Sequence, residues 1–257
     1  MWLAALRFLG AIALLQALCA GAESVAVRQT EGVVHGFLVL RSLEGALLAE
    51  GELNQVARGD RVTSKLAFRF RDGSTHEETV VYSQRGKFRL LSDRVVQKGP
   101  SFPRASDVTI DALAGRVKAH RSGEDAKDID ERFEMPPDIA NGMISTLMKN
   151  IPAGASSIKV PVVTVGTRPH IADLTITREG EDRFAVAGSP HSGVRYRVHV
   201  KFRGLAGVAA SVLGKEPPDY HVWIMEGPAP VFLRSEGPLY SGGPAWRIEL
   251  ASPEWPK

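Results

Sequence analysis

The chain has 257 residues, of which 44% are hydrophobic, 24% charged and 7% aromatic, with a net charge of +3. This composition excludes a disordered, collagen-like or multispanning protein, and the length suits one large or two small domains. The near-neutral balance predicts no general attraction to nucleic acid, and no nucleic-acid partner is expected.

Residues 1–22, MWLAALRFLGAIALLQALCAGA, carry one charge, Arg7, and an apolar run from Phe8 to Leu18. That run is shorter than the ~20 residues a membrane span requires. Ala20-Gly21-Ala22 has the small-x-small pattern of a signal-peptidase site, which predicts cleavage before Glu23. A retained N-terminal anchor is the alternative. Lipidation at Cys19 is disfavoured, because Gln16-Ala17-Leu18 makes a poor lipobox. Cleavage would remove the single cysteine and leave 31 basic against 29 acidic side chains. The mature chain would then have no disulfide, although its compartment would permit one. The expected location is the bacterial periplasm or the cell exterior.

Behind the leader, apolar and polar residues alternate with period two. In Arg61–Arg71, Val62, Ser64, Leu66, Phe68 and Phe70 share one face. Arg61, Thr63, Lys65, Ala67, Arg69 and Arg71 share the other. Asp72-Gly73 supplies a tight hairpin turn into a strand near Thr75–Gln84. A further strand starts at Lys87, and Val108–Ile110 and Arg116–Arg121 flank a turn at Ala114-Gly115. The pattern resumes at Ile158–Val165, Ala172–Arg178 and Val194–Arg203. Tyr220–Met225, Val231–Arg234 and Trp246–Leu250 complete the series. Short strands joined by turns predict antiparallel pairing rather than βαβ units.

Two segments depart from this alternation. Pro136-Pro137-Asp138 is a helix-start signal, and Ile139, Met143, Ile144, Leu147, Met148 and Ile151 recur at helical spacing. The spacing predicts a helix near 138–150 with one buried stripe. Gly204–Gly214, GLAGVAASVLG, is uncharged and too short to cross a bilayer. The acidic stretch Glu124–Glu131 marks a candidate boundary between an N-terminal β half, 23–133, and a C-terminal half, 134–257. One continuous domain is the alternative.

Familiar catalytic patterns are missing. Neither serine of Gly188-Ser189-Pro190-His191-Ser192-Gly193 has glycines two places to either side, so no nucleophile elbow is present. His76-Glu77-Glu78-Thr79-Val80 has Val80 where a zinc-protease helix needs its second histidine. No P-loop or dinucleotide fingerprint occurs, and no cofactor is expected. Glu124, Asp125, Asp128, Asp130 and Glu131 raise a calcium hypothesis, but EF-hand spacing and its central glycine are absent. A solvated loop is the preferred reading, and no metal is expected. Asp219 could orient His221 as an acid–base pair, against a surface histidine beside a turn carboxylate.

The strand faces carry the functional expectation. Arg61, Lys65, Arg69 and Arg71, and separately Arg195, Arg197, Lys201 and Arg203, form basic rows. These could touch an anionic membrane surface, unless neighbouring carboxylates compensate them. On the opposite sides, Phe68, Phe70, Tyr196, Val198, Val200 and Phe202 must be covered. Ten or so strands offer more apolar surface than one four-turn helix can hide. The sheet must therefore fold on itself as a filled core, or curve and leave a groove for an apolar ligand.

Half-barrel sheet, helix plug and export signal, over roughly residues 33–203, resemble the lipoprotein-carrier type of bacterial envelope protein. They also resemble uncharacterised exported β-rich families of similar plan. The resemblance implies handling of an apolar ligand or lipoprotein, and no functional residues are carried over from it. The expected fold is mainly β: a curved antiparallel sheet, or sheets, or a half-barrel, with one amphipathic helix on the concave side. The expected function is non-catalytic binding of a lipid or other apolar ligand. Phe68, Phe70, Met143, Leu147 and Phe202 would line the site, with Gly204–Gly214 as a flap. One alternative is an envelope assembly protein that binds a protein partner through an edge strand or the proline-rich tail. Another is a hydrolase whose dispersed residues, His191 and His221 among them, meet only in the fold.

Overall fold

The computed structural model describes residues 24–123, 127–152, 154–186, 188–204, 217–251 and 253–254. The N-terminal half forms β1 (Val34–Ser42), β2 (Leu47–Arg58), β3 (Arg61–Phe70) and β4 (Thr75–Ser83). It continues with β5 (Arg89–Lys98), β6 (Ser106–Asp111), β7 (Arg116–Arg121) and β8 (Ile129–Arg132). A short helix, α1 (Ile144–Met148), follows. Then come β9 (Ser157–Val165), β10 (Pro169–Val186), β11 (Ser189–Phe202) and β12 (Tyr220–Met225). The chain ends with β13 (Val231–Gly237), β14 (Trp246–Leu250) and β15 (Pro253–Glu254).

All fifteen strands belong to one antiparallel sheet. Its order is β15-β10-β11-β12-β13-β14-β1-β2-β3-β4-β5-β6-β7-β8, with β9 also on β10. Residues on both sides of the candidate boundary at 133/134 share this sheet, because β14 pairs with β1. The alternation dictates which side faces in. Val62 pairs with Tyr82 and Phe68 with His76, and all four are buried. Leu174 pairs with Val200 and Ile176 with Val198 on the same inner face. One cluster of buried residues contains Val62, Val80, Tyr82, Ile110, Val117, Ile158, Leu174 and Tyr196, so distant strands meet across the interior. The sheet is therefore rolled into a barrel-like form, as the apolar face of so wide a sheet requires.

Among the described residues no ladder joins β8 to β9. The open seam is bridged by other means. The Arg121 guanidinium on β7 donates to the carbonyl oxygens of Gly166 (2.7 Å) and Val165. Ala140 N–H donates to the Pro161 carbonyl at 2.9 Å. The Asn141 amide then imitates a strand: its Nδ2 donates to the Val163 carbonyl (2.9 Å), and its Oδ1 accepts from Val163 N–H (2.8 Å). The outer edge of β9 is thus capped by a side chain and a loop, which removes a free pairing edge. Pro161, which has no N–H to offer, lies in this edge strand.

This arrangement corrects the expected helix over 138–150. Only Ile144–Met148 is α-helical. The donors of residues 140 and 141 serve β9, and Gly142 adopts φ +66°, which ends any helix coming from Pro136. The buried stripe is nevertheless real: Ile139, Met143, Leu147 and Met148 are all almost wholly buried. The segment plugs the barrel as an irregular turn followed by little more than one helical turn. β8 also corrects the reading of the acidic stretch as loop throughout, because Ile129–Arg132 pairs with β7. Its Asp130 is held bidentately by Arg116, at 2.5 and 2.7 Å.

Two substitutions test this account. Asn141→Ala removes both bonds to Val163 and should lower unfolding stability by about 1–3 kcal/mol in urea titration. Gly51 on β2 lies under the Phe68 ring, where an added Cβ would meet Cε1 at 2.3 Å. Gly51→Ala should therefore cost about 1–3 kcal/mol by overpacking, whereas Gly59→Ala on the same hairpin keeps the Phe68 ring undisturbed. Equal melting temperatures for Gly51→Ala and the parent would contradict the close approach.

Candidate functional site

The inner faces of β1–β4 and β12–β14 do not close on each other. They leave a cavity of about 520 Å³ next to α1. Most of its wall is apolar, with Leu38, Leu53, Leu66, Val222, Phe232 and Ile248 among its residues. The register explains the wall, since Leu53 pairs with Leu66 and Leu66 with Glu78 across three adjacent strands. Gly36 stands opposite Leu53, so β1 contributes no side chain at that level.

The five residues expected to line a site lie elsewhere. Phe68 and Phe70 pack in a cluster with Leu38, Leu40, Phe102 and Trp246. Phe70, Phe102 and Trp246 meet with ring centroids 5.4–6.2 Å apart. Met143 and Leu147 are buried in the larger cluster, and Phe202 packs against it partly buried. None of the five borders the cavity, which takes their neighbours Leu66 and Ile144 instead. In the sequence, bulk was the only available guide, and bulky aromatics fill space rather than leave it. Of the expected flap, residues 205–214 lie outside the described residues.

One end of the cavity is polar. Lys149, one residue beyond α1, forms an ion pair with Glu31. Gln55 Nε2 donates to the other Glu31 oxygen at 3.0 Å, and the Tyr82 hydroxyl donates to Gln55 Oε1 at 3.3 Å. Gln84 holds the Glu31 backbone from both sides, at 2.7 and 3.0 Å. Asn150 fixes the entering chain by accepting from the N–H groups of Arg28 (2.8 Å) and Gln29 (2.7 Å). This network is buried and mutually satisfied, as a charge pair away from water must be.

Glu78 is different. It stands in the cavity wall on β4, and no hydrogen bond or ion pair engages it among the described residues. Burial pushes its carboxyl up to about 7. Asp93 on β5 faces the same interior, opposite Val80, and is only 4% exposed. Burial, and then repulsion from Glu78, raise the Asp93 carboxyl well above the usual range. Its Oδ1 has no hydrogen-bond partner. Gly142 closes over this pair: a Cβ there would lie 2.3 Å from Val80 Cγ2 and 3.2 Å from Glu78 Oε1. Nothing in the sequence distinguished Glu78 from Glu77, except that Glu78 shares the inward parity of His76, Val80 and Tyr82.

His76 is another buried titrating group. It lies between Phe68 and Phe102, and its Nδ1 accepts from Gln97 Nε2 at 3.0 Å. Burial lowers its pKa to about 4.

The surface histidines are arranged otherwise than expected. Asp219 engages His199 Nδ1 (2.7 Å) and Arg197 (3.1 Å), not His221. His221 faces Glu179 at 3.5 Å, and His191 stacks on Phe184. Asp219 lies just before β12 and reaches sideways to β11 rather than along its own strand to His221. Three of the four basic residues in the β11 row are compensated, Arg195 and Arg197 by Glu179 and Arg203 by Asp173 at 2.5 Å, whereas Lys201 is exposed and makes no ion pair among the described residues. Five strands separate the β11 row from the basic row of β3 in the sheet. Of the acidic stretch, Asp128 pairs with His120, and no group of metal-ligating side chains forms among the described residues.

Glu78 and His76 give opposite pH dependences. Glu78 binds its proton more tightly when folded, so its contribution is greatest at acid pH and is lost as pH rises from about 4.5 to about 7. His76 loses its proton more readily when folded, so stability falls as pH drops from 6.5 towards about 4. Glu78→Gln should therefore gain about 1–3 kcal/mol relative to the parent at pH 8, and much less at pH 4.5. Urea titrations at the two pH values check this; an equal effect at both would contradict the buried carboxyl.

Neither family models nor curated proteins match this chain. Among solved structures, a beta-barrel-like protein of the domain of unknown function DUF1849 from Brucella abortus is similar to it. The TM-score is 0.49 at 8% identity, over 87% of this chain and 97% of that one.

Proposed function

We propose that this chain is an exported, non-catalytic binding protein of the bacterial envelope that carries a lipid or other largely apolar ligand inside its rolled sheet. The observation behind this reading is the cavity of about 520 Å³ with apolar strand residues for walls. That volume falls within the range of small-molecule pockets, roughly 300–1,000 Å³. The cavity opens to solvent, so its apolar walls meet water when nothing else fills it. An acyl chain seated there would gain about 0.8 kcal/mol for each methylene removed from water. The polar end, with the Glu31–Lys149 pair, gives an amphiphile a direction in which to lie. Export rests on the leader-like residues 1–22, and on this reading the mature chain starts at Glu23. The plan of sheet plus plug supports a comparison with lipoprotein carriers at the level of architecture alone.

Native mass spectrometry of protein purified without detergent should find an adduct that organic extraction removes. N-phenyl-1-naphthylamine, a neutral apolar dye, should bind the extracted protein at one molecule per chain. Leu66→Trp, which places an indole in the cavity, should weaken dye binding about tenfold or more while leaving the melting temperature within a few degrees. No adduct and no dye binding would contradict the reading.

A further inference from the structure

The charged groups bordering the cavity do not balance. Among the described residues they are Glu31, Glu78 and Lys149. Lys149 is already committed to Glu31. Glu78 is left facing the void without a cation, and Asp93 stands behind it with Oδ1 unbonded and the residue 4% exposed. Glu78, half-buried in the cavity wall, and Asp93, buried on the adjacent strand, thus have no positive charge of their own among the described residues. Buried carboxylates normally have a cation or several donors, and a site that lacks them among its own residues is complementary to a ligand that supplies them.

We propose that the ligand held in this cavity is an amphiphile bearing a primary ammonium group, which seats against Glu78 with the Asp93 carboxyl behind it. The inference rests on the cavity being a binding site. It specifies the polar group of the ligand, which the apolar walls leave open. An ammonium brings three donors and one positive charge, so it can satisfy Glu78 and offset the repulsion between the two acids. An anionic headgroup would set a like charge against Glu78. A plain alcohol would offer Glu78 one donor and leave the charge imbalance in place. Gly142 belongs to the same construction, since the absence of a side chain there leaves Glu78 Oε1 accessible beneath the plug.

The test uses three probes with the same dodecyl tail: dodecylamine, dodecanol and dodecanoic acid. Each displaces N-phenyl-1-naphthylamine from the full mature chain at pH 8, below its micelle concentration. Dodecylamine should bind about tenfold or more tightly than dodecanol, with dodecanoic acid weakest. Glu78→Gln should remove the advantage of the amine and leave dodecanol unchanged, and circular dichroism checks that the variant is folded. Asp93→Asn should reduce the advantage partially. Equal binding of amine and alcohol to the parent protein would overturn the ammonium inference and leave the apolar cavity standing. An amine advantage that survives both substitutions would overturn it as well. Failure of the dye and of all three probes would overturn the cavity reading together with the inference.

Discussion

The structure depends on one geometric constraint: a sheet of fifteen strands has a single apolar face and very little else to cover it. The described residues contain one α-helix near that face, five residues long. Strand faces must therefore cover one another, and the sheet rolls until β3–β7 meet β9–β12 across the interior. Where opposing residues are bulky, as at Phe68, Phe70, Phe102 and Trp246, the interior fills. Where they are glycine, serine or medium-sized aliphatics, as at Gly36, Ser64, Leu53 and Ser235, it does not. The cavity is the local consequence of side-chain volumes on a curvature set by the whole sheet.

Polar groups inside the barrel follow two patterns. At the plug, each one has a partner: Asn150 with the chain entering at Arg28, Gln84 with Glu31, and Lys149 with Glu31. These bonds fix the register of the N-terminal segment and α1 against the strands. At Glu78 and Asp93 two acids stand without a cation among the described residues, and burial raises both carboxyls. A purely structural site would gain stability from replacing them with apolar residues. Their presence is a local inconsistency in the packing, and the proposed ligand would resolve it by supplying the missing donors.

Much of the fold was legible because period two survives even under tertiary forces. The faces of Arg61–Phe70 and of Val194–Phe202 are inward and outward as their alternation requires. Three features were not legible. The polar run Arg178–Arg183 continues β10 past a bulge at Glu179, because its side chains pair with β11 and beyond rather than alternate with apolar ones. The helical spacing at 138–151 described burial correctly and backbone conformation only in part, since the donors of Ala140 and Asn141 were drawn to an edge strand remote in sequence. The cavity residues were invisible for a physical reason. Whether Leu66 borders a void depends on what stands opposite it, and its opposite neighbours come from β13 and β14, more than 160 residues later.

The central claim is that an apolar chain enters the barrel between β1–β4 and β12–β14. Methyl-resolved NMR during titration with dodecanol tests it most directly. The account predicts saturable shifts at Leu38, Leu53, Leu66 and Ile248, with Val33 and Val56 on the outside unmoved. Shifts confined to exposed methyls, or none at saturation, would contradict it.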